Sequence, residues 1–355
     1  MSQRTIAGLL ALPLVVALIL CAFVLPLPYT IYSPGETVNL LGTSNGHPIV
    51  TVGKGGPTVY RDGGQLRMVT VQVTTRTYHP RLFEVLAAWA NNDDAVYPLS
   101  YAYPDNSGTA QSDNKAGAQE MTSAQDIAEQ VAVATLTGAK IFHGVIVGSI
   151  SSGTPAAASL KIGDVITAIG RTPITTPASL KDTVTALPAG KPVAFTILRA
   201  GKQTVVSVTP ATIQGKTRIG VGGADGGELM SSVSMPYDVQ VNIPEDITGP
   251  SAGLMMTLSI YDELTPGSLT GGGVVAGTGT IDQSGAVGEI GGIQQKIPGA
   301  KNDGAQLFLV PAGNCPDVAN TDHGSMRLAK VSTFADALKV VQTWSKDHNA
   351  PLPSC

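Results

Sequence analysis

The pattern of apolar and polar residues changes character several times along the chain. An uncharged and almost wholly apolar run covers residues 6–28. Alternation of apolar and polar residues, which is typical of half-buried strands, recurs in the segments 65–75 and 237–243. Apolar residues spaced three and four apart, which indicate amphipathic helices, occur in the segments 122–136 and 251–264. The pattern predicts an α+β fold that follows an apolar N-terminal helix.

The apolar run is long enough to cross a membrane, since a helix of about 20 apolar residues spans the hydrocarbon core. Arg4 is the only Lys or Arg before it, and the next one is Lys54. The positive-inside tendency therefore predicts a cytoplasmic N-terminus and an extracytoplasmic body. A cleaved signal peptide is the alternative, but no small-residue pair marks a cleavage point, and Leu20 before Cys21 disfavours a lipoprotein site. We predict a retained single-pass signal anchor.

Composition excludes several classes of protein and site. The 355 residues are enough for two or three domains, and the net charge of −4 gives no basic footprint for nucleic acid. The three cysteines form no Cys-x-x-Cys motif, so neither a metal site nor a cofactor is predicted. Outside the cytoplasm, Cys315 and Cys355 either form a disulfide that ties down the tail or remain two free thiols. Both interpretations stay open at this point.

A helix is predicted over residues 122–136, because Thr122 and Gln125 have the spacing of a capping box. The polar residues 98–119 before it have the composition of a surface loop. We expect this helix to pack on the domain that follows it.

The next unit begins near residue 140 with strand, turn, short helix and strand signals. Its stretch "GTPAAASLKIGDVITAIGRTPI" (153–174) resembles a PDZ domain in the circularly permuted form common in bacterial proteases. PDZ domains capture a chain end by adding it as a strand beside their sheet. The resemblance implies a peptide groove lined by Phe142, Gly144, Val145, Ile146 and Val147. For Val145 and Val147 a role as core strand residues is the alternative, and His143 is interpreted as an exposed loop residue.

Residues 249–253 read Gly-Pro-Ser-Ala-Gly, the G-x-S-x-G spelling of a serine hydrolase elbow. Ser251 opens a segment with helical spacing, where free backbone N–H groups can stabilise an oxyanion. The candidate oxyanion loop comprises Gly249, Ser251 and Ala252, whereas Pro250 has no N–H to donate. A hydrolase of that type also needs a histidine partner, and the late candidates His323 and His348 both stand in polar segments without a suitable setting.

Two motifs that follow the serine motif indicate a different catalytic partner for Ser251. "GPSAG" (249–253), "GTGTIDQSGAVGEIGGIQQK" (277–296) and "LFLVP" (307–311) follow one another in order. Together they resemble the proteolytic domain of the Lon family over about residues 217–345. The resemblance implies a catalytic dyad of Ser251 and Lys296, with Thr278 hydrogen-bonding the lysine. Taken singly, Ser251 is better interpreted as a helix cap and Lys296 as a surface lysine. Their occurrence together, with glycine-rich surroundings and Thr278, favours the dyad.

The chemistry of a lysine base agrees with this assignment. An amine can accept a proton near neutral pH only if its pKa falls several units below about 10.4, through burial or nearby positive charge. The neighbours of Lys296 are uncharged, whereas Lys301 begins a polar turn and is expected to be solvated. Asp246, in the loop before Ser251, is either an orienting residue or a surface residue.

No nucleotide motor is expected in this sequence. Gly215-Lys216-Thr217 has the ending of a phosphate-binding loop, but Pro210 stands where its first glycine belongs. The order of segments resembles the YlbL family of bacterial membrane-anchored PDZ-Lon peptidases. The predicted organisation is a signal anchor (1–28), an N-terminal extracytoplasmic segment (29–139), a PDZ domain (140–212), a Lon-type serine protease domain (217–345) and a tail (346–355).

These observations predict an ATP-independent, membrane-anchored serine endopeptidase in which the PDZ domain selects substrate or regulates activity. The expected partners are protein or peptide substrates, the membrane, and further copies of the chain in a homo-oligomer. An inert PDZ adaptor with a Lon-like scaffold is the main alternative, and a secreted esterase dependent on His323 or His348 is a third.

Overall fold

The computed structural model describes residues 3–104, 108–138, 142–199, 202–223, 230–319 and 321–355. Within these ranges the helices are α1 (Gln3–Val24), α2 (Leu82–Ala90), α3 (Leu99–Ala102), α4 (Ala110–Thr137), α5 (Pro177–Ala186), α6 (Gly253–Glu263), α7 (Ile293–Asn302), α8 (Cys315–Val318) and α9 (Phe334–Lys346). The strands are β1 (Tyr29–Asn39), β2 (Thr43–Ser44), β3 (His47–Pro48), β4 (Val50–Val52), β5 (Gln65–Val73), β6 (Ala95–Pro98), β7 (Phe142–Ile146), β8 (Ser149–Ile150), β9 (Val165–Ile169), β10 (Thr172–Pro173), β11 (Val193–Arg199), β12 (Lys202–Val208), β13 (Ala211–Ile213), β14 (Lys216–Arg218), β15 (Val221–Gly222), β16 (Met230–Ser234), β17 (Val239–Val241), β18 (Val274–Gly277), β19 (Thr280–Ile281), β20 (Val287–Gly288), β21 (Leu307–Pro311) and β22 (Arg327–Val331).

The chain folds into two compact units, of which the second is inserted in the sequence of the first. The first unit comprises Met1–Leu136 and Tyr237–Cys355, and the second comprises Thr137–Pro236. The first is built on a six-stranded sheet in the order β22-β21-β18-β5-β1-β6. Strands β22, β21, β18 and β5 are parallel to one another, whereas β1 is antiparallel to both β5 and β6.

The centre of this sheet is enclosed by protein. All five residues of β21 are buried, which is typical of a parallel strand covered on both faces. Helix α7 packs on the sheet through Ile293 and Ile297, which share a buried cluster with Val69 of β5 and Phe308 of β21. In α6, ten of the eleven positions are buried. The apolar pattern of α6 therefore reflects a helix enclosed by protein rather than one with a solvent face.

The predicted domain boundaries differ from those observed. The segment 29–139 is not a separate unit, because its strands β1 and β5 lie inside the central sheet of the first unit. The boundary expected at residue 217 falls within the second unit. Pairing of β5 with β18 joins Gln65 to Val274, and alternation within either strand does not reveal so distant a partner.

The helix predicted at residue 122 begins earlier, at Ala110, so part of the expected polar loop is helical. Thr109 and Ser112 exchange backbone-to-hydroxyl hydrogen bonds of 2.8 and 3.1 Å and cap its start. Thr122 donates instead to the carbonyl of Ala118 within the helix. The capping box expected at Thr122 is therefore wrong, since that hydroxyl lies in the helix interior and bonds the preceding turn.

A disulfide joins Cys315 to Cys355 and closes a segment of 40 residues in the first unit. Cys21 is a free, exposed cysteine.

Across the part of the chain that the structure describes, no helix is both long and apolar enough to cross a membrane. The predicted membrane-spanning helix is thus not confirmed.

The second unit has its own five-strand path, β12-β11-β9-β7-β16, around a separate apolar core that includes Ile166, Phe195 and Leu180 of α5. Arg199 pairs with the buried carboxylate of Asp164 at 2.7 Å, and this interaction holds the pKa of Asp164 below its ordinary value. Gly163, in the turn before Asp164, has a φ of +89°, a conformation that favours glycine.

Candidate active site

Ser251 lies between β17 and the start of α6 in the first unit. Its carbonyl oxygen accepts two hydrogen bonds, one from the Gly279 N–H at 2.8 Å and one from the Thr278 hydroxyl at 3.0 Å. Thr278 and Gly279 directly follow β18, so the end of a buried central strand fixes the backbone of the serine. The serine is therefore positioned by the core of the sheet rather than by a mobile loop.

Lys296 reaches the same point from α7. Its Nζ lies 2.7 Å from Ser251 Oγ and 3.1 Å from Thr278 Oγ1. Ile293 and Ile297, on the same helix, are buried in the core, and only 2 % of Lys296 is exposed to solvent. Burial disfavours the charged amine and lowers the pKa of Lys296 from 10.5 to about 7.

The donors and acceptors of this group are complementary. Because the Thr278 hydroxyl donates to the Ser251 carbonyl, its oxygen is left to accept from the lysine. When the amine is neutral, Lys296 can donate one N–H to Thr278 and accept the proton of the Ser251 hydroxyl with its lone pair. Ser251, Thr278 and Lys296 thus form an arrangement in which the amine can accept the proton of the serine.

Ser251 and Lys296 line a cleft of about 380 Å³. Residues 68–72 of β5 form one of its walls, and Met121 of α4 also lines it. Beyond Met68, β5 no longer pairs with β18, so its backbone on that side faces the cleft. Among the described residues, the carboxylates that line the cleft are Glu36 and Asp246.

The candidate oxyanion loop is corrected at one position. Gly249 has a φ of +91°, and its N–H donates to the Gly117 carbonyl at 2.9 Å, so it is not free for a ligand. Within the described residues, no acceptor is found for the N–H of Ser251 or of Ala252. These two donors stand at the start of α6, where the helix dipole also favours negative charge.

Helix α4 holds the loop before Ser251 in a way that the sequence did not indicate. Gln125 donates to the Val241 carbonyl at 2.8 Å, and Glu129 accepts from the Val241 N–H at 3.2 Å. A Cβ on Gly117 would lie 3.0 Å from Thr248, so a larger residue at 117 would have to displace Thr248 by a few tenths of an ångström. Burial, Asp126 and Asp238 raise the pKa of Glu129 to about 7 despite the hydrogen bond from Val241. No local pattern signals these contacts, since they join residues more than a hundred positions apart.

The other proposed partners of Ser251 lie elsewhere. His323 bonds the Met326 carbonyl at 2.7 Å, and His348 stacks on Trp344, and neither lines the cleft. Asp246 lines the cleft, but among the described residues it makes no hydrogen bond to Ser251 or Lys296. The geometry therefore gives no support to a Ser-His-Asp arrangement.

The Gly-Lys-Thr sequence at 215–217 is a hairpin turn rather than a phosphate loop. Strands β13 and β14 pair directly across Gln214 and Gly215, whose φ values are +50° and +73°. Two successive residues with positive φ are typical of a two-residue hairpin turn.

The peptide groove expected at Phe142, Gly144, Val145, Ile146 and Val147 is wrong. Strand β7, which holds the first four, pairs with β9 on one edge and with β16 on the other, so it has no free edge for a peptide. Val145 and Val147 are fully buried, in agreement with the alternative that they are core residues. The side chain of Phe142 lies outside the described residues. Strand β16 is distant in sequence, so local pattern could not reveal it.

A cleft of about 610 Å³ is present elsewhere in the second unit. Leu180 and Val184 of α5 line one side, and residues 216–221 line the other. Arg218 and Lys216 add positive charge at this cleft.

Comparison with known proteins finds two family matches along the chain. Residues 114–209 match the family model of the PDZ domain, and residues 227–343 match that of the Lon protease (S16) C-terminal proteolytic domain. A PDZ domain of an SdrC-like protein from Listeria monocytogenes aligns at 26% identity over 22% of this chain and 84% of that chain, with a TM-score of 0.21.

Individual relatives match the proteolytic part of the chain. The Lon protease of Neorickettsia sennetsu is 36% identical over 107 residues, which are 28% of this chain and 13% of that protein. Lon protease 2 of Bacillus subtilis is 34% identical over 104 residues, which are 29% of this chain and 18% of that protein. The chain thus spans less than a fifth of the length of these relatives. It contains a PDZ domain and a Lon-type C-terminal proteolytic domain, and the latter carries Ser251, Thr278 and Lys296.

Proposed function

We propose that the chain is an ATP-independent serine endopeptidase with a dyad of Ser251 and Lys296. The observation that carries the proposal is the buried amine of Lys296, which lies 2.7 Å from the Ser251 hydroxyl and has a pKa lowered to about 7. At that pKa about half of the amine is neutral at pH 7, so a base is available without a histidine.

The proposed reaction has two stages. Lys296 takes the proton of Ser251 as Oγ attacks the peptide carbonyl, and the N–H groups of Ser251 and Ala252 stabilise the oxyanion. The lysine ammonium then gives this proton to the leaving amine, and an acyl ester on Ser251 remains. Water, deprotonated by Lys296, attacks the ester, and the proton returns to Ser251 Oγ as the acid product leaves.

The proposed substrates are extended, unfolded segments of membrane or extracytoplasmic proteins. The unpaired edge of residues 69–72 in β5 suits an extended peptide, whereas a folded domain does not fit a cleft of about 380 Å³. The uncharged run at 6–28 supports a membrane attachment. We further propose that the cleft beside α5 binds a chain end and so selects substrate or regulates turnover.

Incubation of the detergent-solubilised full chain with casein tests the proposed activity. Without ATP, casein is expected to yield internal fragments by mass spectrometry, and added Mg-ATP is expected to leave the rate unchanged. A tightly folded protein of similar size is expected to remain intact. The Ser251→Ala chain, purified in parallel, is the blank. Equal fragmentation by the blank, or none by either chain with casein and with unstructured peptides, would contradict the proposal and favour the inert adaptor.

Thr278→Val is expected to lower kcat by roughly 10- to 100-fold with little change in KM, because the lysine loses the acceptor that orients it. Thr278→Ser keeps the hydroxyl and is expected to restore most of the rate. Steady-state cleavage of a fluorogenic peptide measures both parameters. If valine and serine at this position gave equal rates, the hydroxyl would have no positioning role.

A further inference from the structure

Helix α2 turns its apolar side chains outward, which is the reverse of an ordinary surface helix. Leu82, Leu86 and Trp89 follow one another at helical spacing and are 39 %, 50 % and 80 % exposed. Ala88, on the opposite side of the helix, is buried against the protein. A fully outward tryptophan beside two leucines indicates that something apolar covers this face.

The exposed face continues onto the end of α1. The ring of Phe83 in α2 lies 4.7 Å from that of Phe23 in α1. Just beyond α1, Pro26 forms a β-bridge with Arg81, and the Leu27 N–H donates to the Pro80 carbonyl at 2.9 Å. Helix α2 is therefore held directly against the last turn of α1.

From residue 11 to residue 24, helix α1 is uncharged around its whole circumference, and all of these residues are exposed except the half-buried Ala22. Between residues 12 and 24, the exposed side chains are Leu12, Leu14, Val15, Val16, Leu18, Ile19, Leu20, Phe23 and Val24. A protein partner would cover one stripe of such a helix, whereas a lipid environment covers its whole circumference. This distribution favours lipid over a second protein as the occupant.

Exposed tyrosines lie near the C-terminal end of α1. Tyr29 begins β1 and is 37 % exposed, and Tyr101 of α3 is 65 % exposed and stacks on Tyr97 at 4.6 Å. The Leu99 N–H donates to the Pro28 carbonyl at 2.9 Å, so α3 is tied to the segment that leaves α1. Trp and Tyr are the residues enriched at the boundary between lipid and water.

We propose that α2, together with Tyr101 of α3, lies in the headgroup region of a lipid bilayer. Leu82, Leu86 and Trp89 enter the upper acyl region, and Arg81 at the start of α2 stays at the lipid phosphates. This inference rests on the proposed membrane attachment, but it makes a separate claim. The first unit lies on the bilayer surface through a second element instead of moving freely on a single tether.

This contact has a consequence for the substrates. Helix α2 connects directly to β6, which pairs with β1 in the sheet that carries the cleft. A bilayer contact at α2 therefore fixes the height and tilt of the cleft relative to the membrane. The substrate class is narrowed to unfolded segments that emerge close to the lipid surface.

The two tryptophans of the chain provide the test. Trp89 is 80 % exposed, whereas Trp344 is 1 % exposed in the core of the first unit. The full chain is reconstituted into phosphatidylcholine–phosphatidylglycerol vesicles with and without lipids brominated near the top of the acyl chain. Brominated lipid is expected to quench about half of the Trp89 emission or more, and the emission is expected to shift to shorter wavelength. The Trp89→Phe chain reports Trp344 alone and is expected to show neither effect.

A second variant, Leu86→Glu, introduces a charge into the proposed contact. It is expected to reduce Trp89 quenching at least about twofold, while casein cleavage in detergent is unchanged because Leu86 is remote from the cleft. Trp89 emission that is shifted without brominated-lipid quenching would mean that protein covers α2, and this would overturn the proposal. Trp89 that stays fully accessible to aqueous iodide on vesicle-bound chain would also overturn it. A chain that does not float with vesicles would refute the attachment itself, whatever its activity on casein.

Discussion

Replacing Lys296 by methionine is expected to abolish peptide hydrolysis while making the folded chain more stable. The amine is 2 % exposed and hydrogen-bonded to Ser251 and Thr278, so the reaction loses its base. Removal of one member of a catalytic unit is expected to lower kcat by about 10³-fold or more. Ser251→Ala is expected to have a similar effect, and the double variant to be little worse than either single variant, because the two residues act as one unit.

The expected gain in stability shows whether Lys296→Met loses activity through loss of the base or through misfolding. The pKa of Lys296 is near 7 in the folded chain and ordinarily 10.5, so an unfolded chain binds more protons between these values. The contribution of the lysine to stability therefore rises with pH across that window, and below pH 7 the folded chain bears the full cost of a buried ammonium. Lys296→Met is expected to raise the melting temperature more at about pH 6 than at about pH 9.

Lys301→Met is the matched control, since Lys301 lies in the same helix but at the surface, where it pairs with Asp322 at 2.8 Å. This variant is expected to keep kcat near that of the unchanged chain. Fluorogenic peptide cleavage and thermal unfolding by circular dichroism measure the two properties. A Lys296→Met chain that retained more than about a tenth of the rate would exclude the lysine as the base.

The rate of cleavage is expected to rise about a hundredfold between pH 5 and pH 8 and then to level off. Only the neutral form of Lys296 accepts the serine proton, and below its pKa of about 7 the neutral fraction falls tenfold per pH unit. The profile of kcat/KM reports the free enzyme, so it is the quantity to measure. A histidine base would give a similar midpoint, but it would not respond to the variants at residue 296.

Buried carboxylates give a competing explanation of such a profile. Burial raises the pKa of Glu129 and of Glu263 to about 7, and that of Asp262 to about 6. Glu129 accepts a hydrogen bond from Val241 of β17, and β17 leads into the loop that holds Ser251. Of these three carboxylates, Glu129 is therefore the one whose ionisation we expect to affect the active site. Glu129→Gln keeps an oxygen that accepts from Val241 and removes the titration. If this variant lost the rise near pH 7, the glutamate rather than the lysine would set the pH dependence.

The site was predicted from sequence more completely than the fold around it. The resemblance of "GPSAG", "GTGTI" and "GGIQQK" to the Lon proteolytic domain implied Ser251, Thr278 and Lys296, and the structure brings those three side chains together. The uncharged neighbours of Lys296 indicated a buried amine, because an apolar helix face is visible in a local window. The peptide groove expected along β7 is not open, because β16 pairs with that strand and local sequence does not reveal so distant a partner.

The sequence by itself determined the identity of the reactive side chains and the existence of an α+β chain with a PDZ-like unit. Both follow from short motifs that resemble known families, together with the local hydrophobic period, and such motifs can be recognised within a short stretch of sequence. Only the tertiary structure decided that β1, β5 and α4 belong to the proteolytic unit, that the Gly249 N–H is occupied, and that Glu129 and Gln125 hold β17. These features depend on hydrogen bonds between residues far apart in the chain, and a backbone N–H or carbonyl carries no sequence signal for the partner it will find.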